Sequence, residues 1–92
     1  MPQVKWIEKR IESFEGFVVR FETETGSNVR SDKVIAAQYD GHVNRAPNTM
    51  TVEGWIRNRF RPQFPGFSVK VLYADGRAAH GRTQLRTVRA TY

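Results

Sequence analysis

The feature that most constrains this chain is an imperfect internal copy. Trp6-Ile7-Glu8-Lys9-Arg10-Ile11 is answered by Trp55-Ile56-Arg57-Asn58-Arg59-Phe60, with Trp, Ile and Arg recurring 49 residues on. Phe14, Gly16, Phe17, Val19 and Gly26 then recur 50 residues on, as Phe64, Gly66, Phe67, Val69 and Gly76, and Arg20 is answered by Lys70. The pattern is one half-length unit used twice: W-I-x-x-R-apolar, a short link, then F-x-G-F-x-V-basic. The alternative is a chance likeness of two amphipathic segments, and it is decided by whether the copies adopt the same structure.

Each copy reads as helix followed by strand. Val4, Ile7, Ile11 and Phe14 fall on one helical stripe, with Glu8, Lys9, Arg10 and Glu12 on the wet side. Gly16 is placed to end that helix, although Lys5, Ile7, Lys9 and Ile11 also alternate as a strand would. Residues 17–24 alternate cleanly, and Thr25-Gly26-Ser27-Asn28 is turn chemistry leading to a return strand at Val29-Arg30. Ser31-Asp32 then suits a helix N-cap ahead of Val34 to Tyr39, unless the return strand simply runs on to about Ala37.

In the second copy Thr51 is the N-cap, Val52, Trp55, Ile56 and Phe60 form the apolar face, and Pro62 stops the helix. Phe67, Val69, Val71 and Tyr73 point inward from the following strand. A three-residue loop, Ala74-Asp75-Gly76, pairs Tyr73 with Arg77 and sets Ala79, Gly81, Thr83 and Leu85 beneath the helix. A two-residue loop would instead bury His80 and Arg82, which is costly for an unpaired charge. The three-residue register therefore predicts His80, Arg82, Gln84 and Arg86 all pointing outward beside Lys70.

These elements make one α+β domain over residues 1–92: two α-β-β units, about 2–39 and 50–92, joined by a surface loop at 40–49. Their strands form an antiparallel sheet with helices on one face. Ninety-two residues bury about two-thirds of their unfolded surface, so the core is thin and aromatic. The expected core is Ile7, Ile11, Phe17, Val19, Phe21, Ile56, Phe60, Phe67, Val69 and Val71. Trp beside Ile at helical spacing is expected to pack inside, and display of both Trp6 and Trp55 would instead mark a binding interface.

Charge carries the functional argument. Residues 1–24 are net −1 and residues 25–48 net +1, whereas residues 49–92 hold eight cations, seven of them arginine, against two carboxylates. Arginine suits bidentate contact to phosphate or carboxylate and stacking on flat rings. Arg57 and Arg61, four apart on a helix, together with Lys70, His80, Arg82, Gln84 and Arg86 on the sheet, are the expected nucleic-acid contacts.

Enzyme chemistry is not expected. There is no cysteine, and the histidines His42 and His80 lack metal-ligand spacing. Ser13, Ser27, Ser31 and Ser68 lack a nucleophile-elbow context, and no phosphate-binding glycine loop occurs. No catalytic residue, metal or cofactor is assigned, and without an apolar run of spanning length no membrane partner is expected. The expectation is a cytoplasmic, non-catalytic binding protein for nucleic acid. The runner-up is an interaction module or inhibitor, of phage or mobile-element type, that docks an acidic protein surface. An open sheet edge would also admit a homodimer.

Overall fold

A computed structural model describes residues 3–23, 25–30, 33–35, 39 and 44–92. Helix α1 spans Val4–Glu15 and buries Val4, Ile7, Ile11 and Glu15. It ends at Gly16, whose φ of 86° is open to glycine and strained for other residues; its N–H donates to the Glu12 carbonyl. Strand β1 follows at Val18–Thr23. In the second copy Thr51 caps α2, Val52–Trp55, its hydroxyl accepting the Gly54 N–H at 3.1 Å. Strand β2 is Phe67–Leu72 and a last helix, α3, is Leu85–Arg89.

The two strands pair antiparallel in a two-stranded sheet, from Val18 opposite Leu72 to Thr23 opposite Phe67. Arg20 lies opposite Lys70, and these are also the matching residues of the two copies. The axis relating the halves therefore runs between those two side chains. Past each strand the copies keep step at an offset of 50. Gly26 and Gly76 have φ of 92° and 90°; Glu22–Asn28 and Leu72–Ala78 form matching antiparallel bridges; Val29 and Ala79 donate to Phe21 and Val71. The internal duplication is structural.

The hairpin register is as read: the Tyr73 N–H donates to the Arg77 carbonyl across Ala74-Asp75-Gly76. The returning legs, however, narrow to single bridges. Past Ala79 the chain turns, with the Thr83 N–H on the His80 carbonyl, and residues 85–89 wind into α3. The outward row His80, Arg82, Gln84, Arg86 expected of a continuing strand does not form. Gly81 offers little to a sheet, whereas Leu85 and Val88, three apart, bury completely as one face of a helical turn. The helix or strand expected over 31–39 falls largely outside the described residues, although Val34 bridges Gln3 as Gln84 bridges Thr51.

The helices depart from the written repeat. After α2 the chain enters a π-helical turn, Ile56–Phe60, in which the Arg61 N–H reaches back to the Ile56 carbonyl. Buried positions Val4, Ile7, Ile11 and Glu15 are matched by Val52, Trp55, Phe60 and Phe64. The spacing 3, 4, 4 becomes 3, 5, 4, because the wider turn absorbs one extra residue. Trp55 thus takes the place of Ile7, and the Trp6–Trp55 correspondence fails. Trp55 is 0 % exposed and Trp6 57 % exposed, with the Lys5 ammonium 5.6 Å from the Trp6 ring. Ile56 and Phe67, both expected in the core, are only partly buried.

The core between sheet and helices is aromatic. Phe21 meets Phe60 and Phe64 edge-on at 5.0 and 5.2 Å, and Phe17 meets Trp55 edge-on at 5.2 Å. Trp55→Ala should cost about 3–5 kcal/mol in urea denaturation. Trp6→Ala should change stability by no more than about 1 kcal/mol. Similar losses from both would mean that the two tryptophans hold equivalent places after all.

Candidate functional site

Six of the eight cations of the second half fall into three groups. The first is structural. Glu15, at the end of α1, is completely buried, and its carboxylate accepts from Arg59 Nη1 at 3.2 Å, Arg89 Nη2 at 3.2 Å, the Ala46 N–H at 2.8 Å and the Tyr39 hydroxyl. Arg89 also reaches the carbonyls of Glu15 and Ala46 at 2.7 Å each, and Tyr39 accepts the Trp55 indole N–H at 3.1 Å. Burial lowers the pKa of Arg89, as does neighbouring Arg45, with Glu15 acting in the opposite direction. The Arg59 and Arg89 side chains are thus largely buried and held on Glu15. The loop read as a simple surface connection contributes Ala46 to this buried cluster; its residues 40–43, His42 among them, lie outside the described residues.

The second group faces the outer side of the sheet. Lys70, expected beside Arg82 and Arg86, instead shares a groove of about 1010 Å³ with Arg20 and with Lys5 and Lys9 of α1. Acidic side chains already engage it: Lys70 pairs with Glu22 at 3.3 Å, and Arg20 lies 3.9 Å from Glu8. Glu8 also takes the Phe21 N–H at 2.9 Å on the outer edge of β1. Burial pushes the Glu8 carboxyl up, opposed by that amide and by Arg20. This carboxylate and the return leg after β1 occupy part of the outer edge of β1.

The third group forms a strip that meets the outer groove at Asn28 and Val29. Arg57 and Arg61, both exposed in or just past the π-helical turn, line one shallow groove with Glu53, Ser68 and Gly81. Arg61 and Ser68 continue into a second groove with Pro65, Gly66 and Phe67. Phe67 in turn lines a third, with Arg30 and Lys33. The wider turn sets Arg57 and Arg61 outward while Phe60 is buried between them, and Gly81 carries exposed His80 and Arg82 on either side. Among the described residues the only carboxylate lining these three grooves is Glu53, which holds Arg57 at 2.9 Å in an exposed i,i+4 pair worth about 0.3–0.5 kcal/mol.

Of the expected contacts, the fold thus brings together Arg57 and Arg61, with His80 and Arg82 at one end. His80 Nδ1 accepts the Arg82 N–H at 3.1 Å within the turn. Lys70 belongs to the outer groove. Gln84 is half-buried against Thr51, and Arg86 is exposed on α3, its N–H on the Asn48 carbonyl. Sequence reasoning missed Arg30, Lys33 and Phe67. The usable signal was the offset of 50, which matches Arg30 to His80 and brings the first copy's return leg to the start of β2. Among the described residues no group of acidic and histidine side chains could hold a metal, and no helix is long and apolar enough to cross a membrane. No known family model, curated protein or solved structure matches the chain.

The buried cluster yields a pH prediction. Burial, and then the hydrogen bond to Glu15, push the Tyr39 phenol above the ordinary tyrosine range. A phenol with a higher pKa folded than unfolded stabilises fully below about pH 10 and loses that contribution as the pH climbs past it. Stability should fall above about pH 10, with Tyr39 phenolate absorbance appearing only as the chain unfolds. Tyr39→Phe should cost about 1–3 kcal/mol at neutral pH and remove its share of the alkaline loss. An unchanged alkaline profile would move that sensitivity elsewhere, Tyr92 being the next phenol raised by burial.

Proposed function

We propose that the protein is a small, non-catalytic binding domain that contacts nucleic acid through the strip running from Arg30 and Lys33 across Phe67 to Arg61 and Arg57, with Arg82 at its far end. One observation carries this reading. Three shallow grooves share the residues at their junctions, so the cations follow one another along a continuous surface with a single carboxylate among its described residues. A polyanion gains from cations in succession, because each phosphate neutralised releases condensed counterions. Arginines 57 and 61 further supply planar forks that fit phosphate oxygens and base edges alike.

The residues first expected to act together do not all belong to this surface. Lys70 faces the outer groove and pairs with Glu22, and Gln84 is tied to the start of α2. Two further arginines of the basic half hold Glu15. The net positive charge therefore overstates what is offered to a partner, and its placement matters more than its sum.

The test is the salt dependence of binding to DNA and RNA oligonucleotides. Arg57→Gln with Arg61→Gln should lower the slope of log affinity against log salt by about 0.7–0.9 for each phosphate no longer neutralised. Lys9→Gln with Lys70→Gln, on the outer groove, should leave it nearly unchanged. A larger effect from the second pair would move the site to the outer groove, and equal effects would mean binding by bulk charge. A parent protein that binds no nucleic acid at low salt would overturn the reading and leave the strip to an acidic protein surface.

A further inference from the structure

Phe67 sits in the middle of the cationic strip, and phosphate contact alone gives no reason for an aromatic ring there. Its counterpart in the first copy, Phe17, is completely buried against Trp55 with the Arg89 guanidinium 5.6 Å over the ring. Phe67 is only partly buried and lines two of the three grooves. The same repeated residue is thus enclosed in one half and presented in the other. Lys33 Nζ lies 5.7 Å over the Phe67 ring, so the ring already receives a cation from outside the core. Beside it, Gly66 leaves open space: a Cβ placed there would meet nothing within 4 Å.

From this placement we infer that the strip takes single-stranded nucleic acid, with one base lying on the Phe67 ring and the flanking phosphates held by Lys33 and Arg61. The inference rests on the reading of the strip as a nucleic-acid surface and narrows it. In a duplex the base faces are stacked on one another, and a ring at the protein surface meets sugar and phosphate only. In a single strand each base has a free face, and stacking on an aromatic side chain is tolerant of base identity. Lysine and arginine on either side of the ring match the order phosphate, base, phosphate along an extended strand. As a base takes the ring, the Lys33 ammonium exchanges its aromatic contact for a phosphate oxygen, so its charge stays partnered.

The experiment compares a fluorescein-labelled oligothymidylate with a duplex of the same length, by anisotropy at two salt concentrations. The single strand should bind more tightly. Phe67→Leu keeps apolar bulk in the partly buried position while removing the flat face. It should weaken single-strand binding roughly 5- to 150-fold, with its salt slope unchanged because no charge is removed. Arg61→Gln should do the reverse, lowering the slope. Should Phe67→Leu fail to fold, photocrosslinking of the unaltered protein to a 5-iodouracil oligonucleotide decides the matter: an adduct on Phe67 supports the inference, and adducts only elsewhere overturn it. Duplex bound as tightly as single strand, or a folded Phe67→Leu that binds like the parent, also overturns it while leaving the wider reading intact. Binding of neither form removes both.

Discussion

One buried carboxylate conditions the rest of the structure. Glu15 lies at the end of α1 with no exposure to solvent, and its neighbours come from distant parts of the chain: Tyr39, the Ala46 amide, Arg59 beyond α2 and Arg89 at the end of α3. Desolvating a carboxylate is expensive, so such a group persists only when every oxygen is met by donors of good geometry. Here both are. No described side-chain nitrogen or oxygen buried in the fold lacks a partner. The cluster fixes which way the second helix and the last helix face the first. It also takes two arginines out of the surface charge, and so decides where the remaining cations can act.

Much of the backbone was legible in the sequence because its signals are local. Gly16 and Gly66, Gly26 and Gly76, the Thr51 cap and the Tyr73–Arg77 register each depend on a few neighbouring residues, and all lie where those residues put them. The tryptophan correspondence failed for a reason invisible to a residue count. A π-helical turn absorbs one residue, so matching letters 49 apart occupy different faces while Ile7 and Trp55, 48 apart, share a place. Glu15 was unreadable for a related reason. A glutamate closing an amphipathic helix looks solvated until donors from elsewhere in the chain are known to converge on it.

The candidate site was legible by halves. Arg57 and Arg61 lie on one segment, and a charge count finds them. Arg30, Lys33 and Phe67 meet only because Thr23 pairs with Phe67 across the sheet, which carries the first copy's return leg to the start of β2. Lys70 failed in the opposite sense. Strand alternation correctly turned it outward, but the outward face is walled by α1, whose Lys5, Lys9 and Glu8 make a different neighbourhood.

The axis between Arg20 and Lys70 has one more consequence. An arrangement in which two similar halves pair strand to strand about a twofold is also how two separate identical chains would associate. Such a pair would have to repeat every residue on both sides, setting identical cations against each other at the axis and a copy of Glu15 in each half. Within one chain the halves are released from that obligation. The first places Glu15 where the second has buried Phe64, and Tyr39 stands 50 residues before Arg89, a phenol and a guanidinium meeting the same carboxylate. Covalent continuity thus permits a lopsided interior inside a nearly symmetric frame, with one ionic centre serving both halves.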